Sequence, residues 1–166
     1  MTKRRKATEA EANALASGIR LRIIRLTYAD ALTNKELAER LGRDPATTLH
    51  HVRKLVDTGF LAPQPPRKGN RGAKEIPYRS TGLSWELDGV GHESSVAEAM
   101  LEAYLAEIAE VPVADLSQTR LVVRLPRKEL SEFEQRLQDL LEEFKARSDG
   151  GDGDQTAIYV ATYPSR

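Results

Sequence analysis

Two helix-start signals separated by a single glycine constrain most strongly what this chain can fold into. Thr33-Asn34-Lys35-Glu36 has the pattern of a capping box, with Thr33 as the N-cap and Glu36 at the third helical position. Gly42 supplies the backbone freedom with which many helices end, and Asp44-Pro45 is an N-cap followed by proline at the first position of the next helix. Two short helices joined by a tight turn that contains glycine are typical of a helix-turn-helix.

The helix that begins at Pro45 and closes at Gly59 divides into two faces. Its inward side is formed by Thr48, Val52, Leu55 and Val56, and its outward side by Ala46, Thr47, His50, Arg53 and Lys54. Leu49 is apolar and flanks the outward side, where it could contact a thymine methyl group. A helix of this size fits the major groove of DNA, where its first residues reach base edges. We therefore expect Thr47, Leu49 and His50 to contact bases. Arg53 and Lys54 lie further along the helix and are expected to bind phosphates.

A hairpin follows this second helix. Phe60-Leu61-Ala62 predicts a short strand, residues 63–74 predict a loop rich in glycine and proline, and residues 76–81 predict the returning strand, with Pro77 indicating an exposed edge. The loop carries four cations and no acid: Arg67, Lys68, Arg71 and Lys74. Such a wing can follow a phosphate backbone or place an arginine in a minor groove. The alternative is a solvated turn.

The charge of the chain is divided between its two halves. Residues 1–85 carry 17 Lys and Arg against 8 Asp and Glu, and residues 86–166 carry 8 against 17, giving balances of +9 and −9. A field of this kind attracts a polyanion to the first half and repels it from the second. The plainer alternative is that the shift in composition marks a domain boundary.

A longer apolar helix is predicted from His92 to Val111, before Pro112. Two neighbouring apolar rows widen its buried face beyond what one side of a small domain requires, and we expect the helix to form a homodimer. The residues expected at that interface are Val96, Met100, Leu101, Tyr104, Leu105 and Ile108. A monomer that buries the second row beneath its own tail is the alternative.

The tail predicts a strand, a helix and a second strand. Residues 121–125 and 157–161 have strand composition, and the helix between them opens at Pro126. Two strands are too few to be stable alone, so we expect this unit to pair with a partner or another strand. Three roles remain open for this unit: covering the dimer, binding an unidentified small-molecule effector, or a purely structural role.

Three segments resemble the ArsR-like winged helix-turn-helix regulators: residues 15–24, residues 37–42 and residues 50–61. In that family the helix that corresponds to the one beginning at Pro45 here is the recognition helix. The family's homodimers usually repress by occupying a promoter. The resemblance implies recognition roles for Thr47, Leu49, His50 and Arg53. In a homodimer, paired recognition helices are expected to read an inverted repeat. It departs at Leu49, where the family often has serine, and in having no cysteine in residues 33–41, so thiolate-type metal sensing is not expected.

The expected fold class is therefore α+β, with an N-terminal winged helix-turn-helix, a long dimerisation helix and a small C-terminal β-α-β unit. The expected domains are a basic, flexible arm (1–14), the DNA-binding domain (15–85), a connector with the dimerisation helix (86–115) and the β-α-β unit (116–166).

The function expected from the sequence is a sequence-specific transcriptional regulator that binds double-stranded DNA, acts as a repressor and resides in the cytoplasm. The chain has no cysteine, no apolar run that would span a bilayer and no secretory signal pattern. The sequence contains no catalytic set, cofactor motif or metal-ligand pattern, so an enzyme, a cofactor and a metal site are not expected. A winged-helix adaptor that binds proteins rather than specific DNA is the alternative.

Overall fold

A computed structural model describes residues 4–69, 72–148 and 153–165. The chain divides into two compact units, the first ending at Asp115 and the second beginning at Leu116. The helices are α1 (Glu9–Leu15), α2 (Gly18–Leu26), α3 (Asn34–Leu41), α4 (Pro45–Asp57), α5 (Leu83–Glu86), α6 (Ser94–Ile108) and α7 (Arg127–Ser148). The strands are β1 (Arg5–Lys6), β2 (Leu32–Thr33), β3 (Leu61–Pro63), β4 (Arg67–Lys68), β5 (Lys74–Glu75), β6 (Pro77–Ser80) and β7 (Leu87–Asp88).

The helix-turn-helix predicted from its caps is confirmed as α3 and α4. The Thr33 hydroxyl accepts the Glu36 N–H at 3.3 Å, and the Glu36 carboxylate accepts the Thr33 N–H at 2.7 Å, so both halves of the capping box form. Gly42 ends α3 with a φ of 61°, in the left-handed region that glycine adopts without strain. The turn into α4 is therefore fixed by local chemistry.

The core of the first unit lies where α2, α3 and α4 meet the hairpin. Ile23, Leu37, Val52 and Leu55 are 0 % exposed, and Phe60, which follows α4, is 1 % exposed. Burial of large apolar side chains provides most of the free energy that holds such elements together. The inward face predicted for α4 agrees with this packing.

The hairpin forms the wing, but its sheet corrects one expectation. β6 lies between β2 and β3 and runs antiparallel to both, with Thr33 opposite Pro77 and Ala62 opposite Arg79. Pro77 is thus in the central strand and not at an exposed edge. A proline is tolerated there because it is the first residue of its strand.

From Arg5 onward the N-terminal segment forms β1 and the start of α1, in the region expected to be a basic, flexible arm (1–14). β1 pairs in parallel with β7, with Arg5 opposite Leu87. The Thr8 side chain and Glu11 form a second capping box at the start of α1. Backbone pairing to a strand more than 80 residues away cannot be inferred from local sequence pattern.

α6 is shorter than the expected span of 92–111, and a 3₁₀ turn at Val90–His92 precedes it. It packs against α2 through Val96, Ala99 and Ala103. Val96 is 1 % exposed inside this unit, so its assignment to a dimer interface is corrected. The short helix α5 (Leu83–Glu86) lies at the boundary between the expected DNA-binding domain and the expected connector.

The second unit contains the predicted helix as α7. The two strands predicted on either side of that helix are not formed in the part of the chain that the structure describes. Residues 121–125 and 157–161 belong to no strand within the described residues. A strand is defined by a hydrogen-bonded ladder, and no neighbouring segment among those described supplies one to either stretch. The coarser fold class, α+β with an N-terminal winged helix-turn-helix, is confirmed.

Within the described residues, no helix has both the length and the apolar character needed to cross a membrane.

Candidate nucleic-acid interface

The surface of α4 presents most of the residues predicted to read DNA. Thr47, His50 and Arg53 are exposed, and Leu49 and Lys54 are half-buried. Thr48, Val52 and Leu55 on the opposite side are 0 % exposed and attach the helix to the core. Because these buried positions fix the rotation of α4, the exposed polar side chains project together from its outer face.

Asp44 restricts what Thr47 can do. The Asp44 carboxylate accepts the Thr47 backbone N–H at 2.9 Å and the Thr47 hydroxyl at 3.2 Å. The backbone hydrogen bond from Thr47 lowers the pKa of Asp44, so the carboxylate is ionised at neutral pH. A hydroxyl that donates to Asp44 keeps only its acceptor lone pairs for a ligand. In this arrangement Thr47 suits a base amino group rather than a phosphate oxygen.

Asn34 links the starts of the two helices. Its side-chain N–H donates to the Pro45 carbonyl oxygen at 2.9 Å, which ties the first turn of α3 to the first turn of α4. Sequence reasoning missed this contact because an asparagine after an N-cap gives no signal of a partner eleven residues away. The bond holds the N-terminus of α4 in place relative to α3.

His51 is half-buried beside the exposed His50, with the two ring centroids 5.9 Å apart. Burial lowers the pKa of His51, and the positive fields of Arg20, His50 and Arg43 lower it further. His51 is therefore neutral near pH 7 and adds no cation to this face of the helix.

The wing presents its predicted cations unequally. Lys68 and Lys74 lie opposite each other at the tip, where β4 pairs with β5, and both are exposed. Arg67 instead donates to the Glu36 carboxylate, with 2.5 Å between Nη2 and Oε1. Arg71 lies outside the described residues. Two of the four predicted wing cations thus stand on the surface without an ion pair among the described residues.

Glu36 has a second role that sequence reasoning did not find. Desolvation opposes its ionisation, but the hydrogen bonds from Thr33 and the charge of Arg67 outweigh that effect and lower its pKa. One carboxylate therefore caps α3 and contacts strand β4 of the wing. The capping-box pattern identified Glu36 as a cap, and no local signal connects it to Arg67.

The residues predicted to form a dimer interface separate into two groups. Met100, Leu101 and Leu105 are 39 %, 47 % and 53 % exposed, and Tyr104 and Ile108 are partly buried. Val96 lies in the core. Leu101 and Leu105 form an apolar stripe on the side of α6 opposite its buried residues, whereas Met100 lies nearer the buried side.

The fold and this surface define the class of domain as a winged helix-turn-helix. A family model described as "Helix-turn-helix domain" matches residues 15–64, which span α2, α3, α4 and β3. That description names nothing finer, so the ArsR-like resemblance remains a prediction. No curated protein matches the chain.

Several solved structures are similar to the chain. Reduced HlyU from Vibrio cholerae N16961 is 20% identical, with 58% of this chain and 84% of that chain covered and a TM-score of 0.37. The adhesin competence repressor from Streptococcus pyogenes is 19% identical, with 76% and 78% covered and a TM-score of 0.34. A MepR variant from S. aureus, bound to an oligodeoxyribonucleotide, is 17% identical, with 82% and 79% covered and a TM-score of 0.33.

Proposed function

We propose that this chain is a sequence-specific, DNA-binding transcriptional regulator. The observation that carries the proposal is the outer face of α4, where Thr47, His50 and Arg53 project from a helix whose other side is locked into the core. A helix held in this way can enter the major groove without moving, and its polar side chains then meet base edges. Lys68 and Lys74 of the wing add phosphate contacts.

The distribution of charge supports DNA as the partner. The balance of +9 over residues 1–85 coincides with the helix-turn-helix and wing, whereas residues 86–115 contain eight acidic residues and no Lys or Arg. A duplex is attracted to the first region and repelled by the second, which orients it toward α4. A protein-binding adaptor has no comparable need for exposed cations on both the helix and the wing, so that alternative has less support.

We further propose a homodimer that acts as a repressor on an inverted repeat in the cytoplasm, as the ArsR-like resemblance implies. The exposed apolar side chains of Met100, Leu101 and Leu105 on α6 support self-association, because neighbouring apolar residues on a surface often mark a protein–protein interface. Two recognition helices related by a twofold axis would contact half-sites about 10 bp apart. We propose no enzymatic activity and no cofactor for this role.

The experiment that tests the function is selection of duplexes from a random pool with the full chain, followed by affinity measurement at several salt concentrations. We expect an enriched sequence, and log K that falls with log[salt] by about 0.9 for each phosphate contacted. Failure to bind any selected duplex better than random DNA would contradict the proposal.

Residue variants separate reading of sequence from attraction to phosphate. Thr47→Ala and His50→Ala should reduce the difference in affinity between the selected and random duplexes, by about 1–3 kcal/mol for each good base contact that the substitution removes. Lys74→Ala should weaken both duplexes alike. Equal reductions on both duplexes for all three variants would show that Thr47 and His50 do not contact bases.

A further inference from the structure

The apolar residues of α7 follow the spacing of a coiled coil. Leu130, Phe133, Leu137, Leu140 and Phe144 are separated alternately by three and four residues. This is the heptad pattern in which positions a and d form a seam between two helices. In this numbering Leu130, Leu137 and Phe144 occupy position a, and Phe133 and Leu140 occupy position d.

The second unit leaves this seam uncovered. Leu130, Phe133, Leu140 and Phe144 are 38 %, 46 %, 50 % and 54 % exposed. An open groove of about 520 Å³ runs beside them, lined by Leu125, Phe133, Leu137 and Leu140 among others. An amphipathic helix of this kind is stabilised when its apolar stripe is buried, so we expect the seam to pack against a partner.

The charges beside the seam disfavour a parallel pair of α7 helices. Residues at positions g and e flank the apolar seam, and in a parallel pair each g residue lies against the e residue five positions later in the other helix. Glu129 at g would then face Glu134 at e of a second copy, and Arg136 at g would face Leu141. A parallel pair therefore has one like-charge contact on each side and no opposite-charge contact.

An antiparallel pair removes the contact between Glu129 and Glu134 and gives Arg136 an acidic partner. When Leu137 packs against Leu140 of a second copy, Phe133 packs against Phe144. In that register Arg136 meets Glu143 of the second copy, and the twofold symmetry makes the contact twice. A shift by one heptad would instead bring Arg136 against Arg136.

We propose that α7 is a self-association helix that pairs antiparallel with α7 of a second copy of this chain, in the Leu137–Leu140 register. Within one helix Arg136 contacts Glu132 at 3.5 Å, and Arg147 contacts Glu143. These ion pairs are exposed and weak, so they can be exchanged for contacts across the seam. The pairing is separate from the apolar stripe on α6, and it does not rest on DNA binding.

Spin labels on the full chain measure the direction of pairing. The chain has no cysteine, so Lys128→Cys and Lys145→Cys each introduce one labelling site away from the seam. At a rise of 1.5 Å per residue, the antiparallel register separates the two Lys128 positions by about 30 Å along the axis and the two Lys145 positions by about 20 Å. A parallel pair would leave both label pairs level along the axis, so the distances at Lys128 and Lys145 would be nearly equal. Nearly equal distances at the two positions, or no measurable coupling between labels, would overturn the proposal.

A charge swap then tests the register. The Lys145→Cys label reports how much protein is paired. Arg136→Glu and Glu143→Arg should each raise the protein concentration at which the antiparallel pair forms by on the order of tenfold. The double variant should restore it, because the opposite charges again face each other. Lys128→Glu and Asp139→Arg carry the same changes in charge away from the seam and should have no effect. Equal behaviour of all variants, or no rescue in the double variant, would overturn the register.

Discussion

The Glu36 carboxylate lies 2.5 Å from the Arg67 guanidinium, and this contact joins the first helix of the helix-turn-helix to strand β4 of the wing. Both side chains are partly exposed, 39 % for Glu36 and 45 % for Arg67. An ion pair of that kind contributes little to stability. Its consequence is electrostatic, because it neutralises one of the cations expected to attract DNA.

We predict that Arg67→Ala changes the salt dependence of DNA binding less than Lys74→Ala does. Lys74 is exposed at the wing tip, and its removal should reduce the slope of log K against log[salt] by about 0.9. Removal of Arg67 should reduce it by clearly less, because Glu36 already holds its charge. The measurement is a salt titration of binding to one duplex.

The double variant provides the control for that prediction. In a Glu36→Gln background the guanidinium is no longer paired, and Arg67→Ala should then lower the slope by nearly the full amount. Glu39→Gln changes the charge of α3 equally without touching the pair between Glu36 and Arg67, and it should leave the effect of Arg67→Ala small. A full reduction of the slope by Arg67→Ala in the unmodified chain would show that the ion pair opens on DNA.

We predict that Asp44→Asn strengthens binding to every duplex. The Asp44 carboxylate is ionised, because the Thr47 N–H lowers its pKa, and it lies at the end of α4 that would enter the negatively charged groove of DNA. Asparagine keeps an acceptor oxygen for the cap and removes the negative charge. A lower affinity on random DNA would contradict this view of the charge.

Asp44→Ala separates the cap from the charge. Alanine removes both, so the free energy of unfolding should fall, whereas Asp44→Asn should leave it nearly unchanged. Urea titration of the two variants and the unmodified chain measures this difference. Equal destabilisation by both variants would show that the carboxylate charge, rather than the acceptor oxygen, supports α4.

The parts of this fold that were predictable from sequence are those set by neighbouring residues. The caps at Thr33 and Asp44 and the end of α3 at Gly42 all depend on groups within four positions of one another. The contact of Arg67 with Glu36 spans 31 positions and leaves no local pattern. Strand composition at 121–125 likewise cannot determine whether a partner strand is present.

The acid stability of the first unit should depend on Glu11. The Arg5 guanidinium donates to this carboxylate at 2.6 and 2.9 Å, and the Thr8 N–H donates at 2.7 Å. These bonds, with that from Arg5 the strongest, lower the pKa of Glu11 to about 2. Because the folded pKa is below the unfolded value of about 4.3, this stabilisation is present above about pH 4.3 and disappears as the pH falls toward about 2.

We therefore predict that Glu11→Gln lowers the free energy of unfolding at pH 7 by roughly 1.5–3 kcal/mol, the range for hydrogen bonds to charged groups. The gap between the variant and the unmodified chain should close between about pH 5 and about pH 2. Glu9→Gln, at an exposed first-turn position of the same helix, is the control and should show little dependence on pH. A gap that stays constant with pH would mean that ionised Glu11 does not stabilise the fold.

The exposed stripe on α6 predicts a surface that can be disrupted without unfolding. Leu101 and Leu105 project away from the core, whereas Val96 on the same helix is buried. Leu101→Glu should abolish self-association through α6 and leave helical content unchanged, because a charge placed in an apolar interface is costly only when the interface forms. Val96→Ala should instead lower the free energy of unfolding by about 2 kcal/mol. Sedimentation of each variant in the Arg136→Glu background, which weakens the α7 pairing, distinguishes the two effects together with circular dichroism. If Leu101→Glu self-associates as strongly as that background alone, α6 does not form an interface.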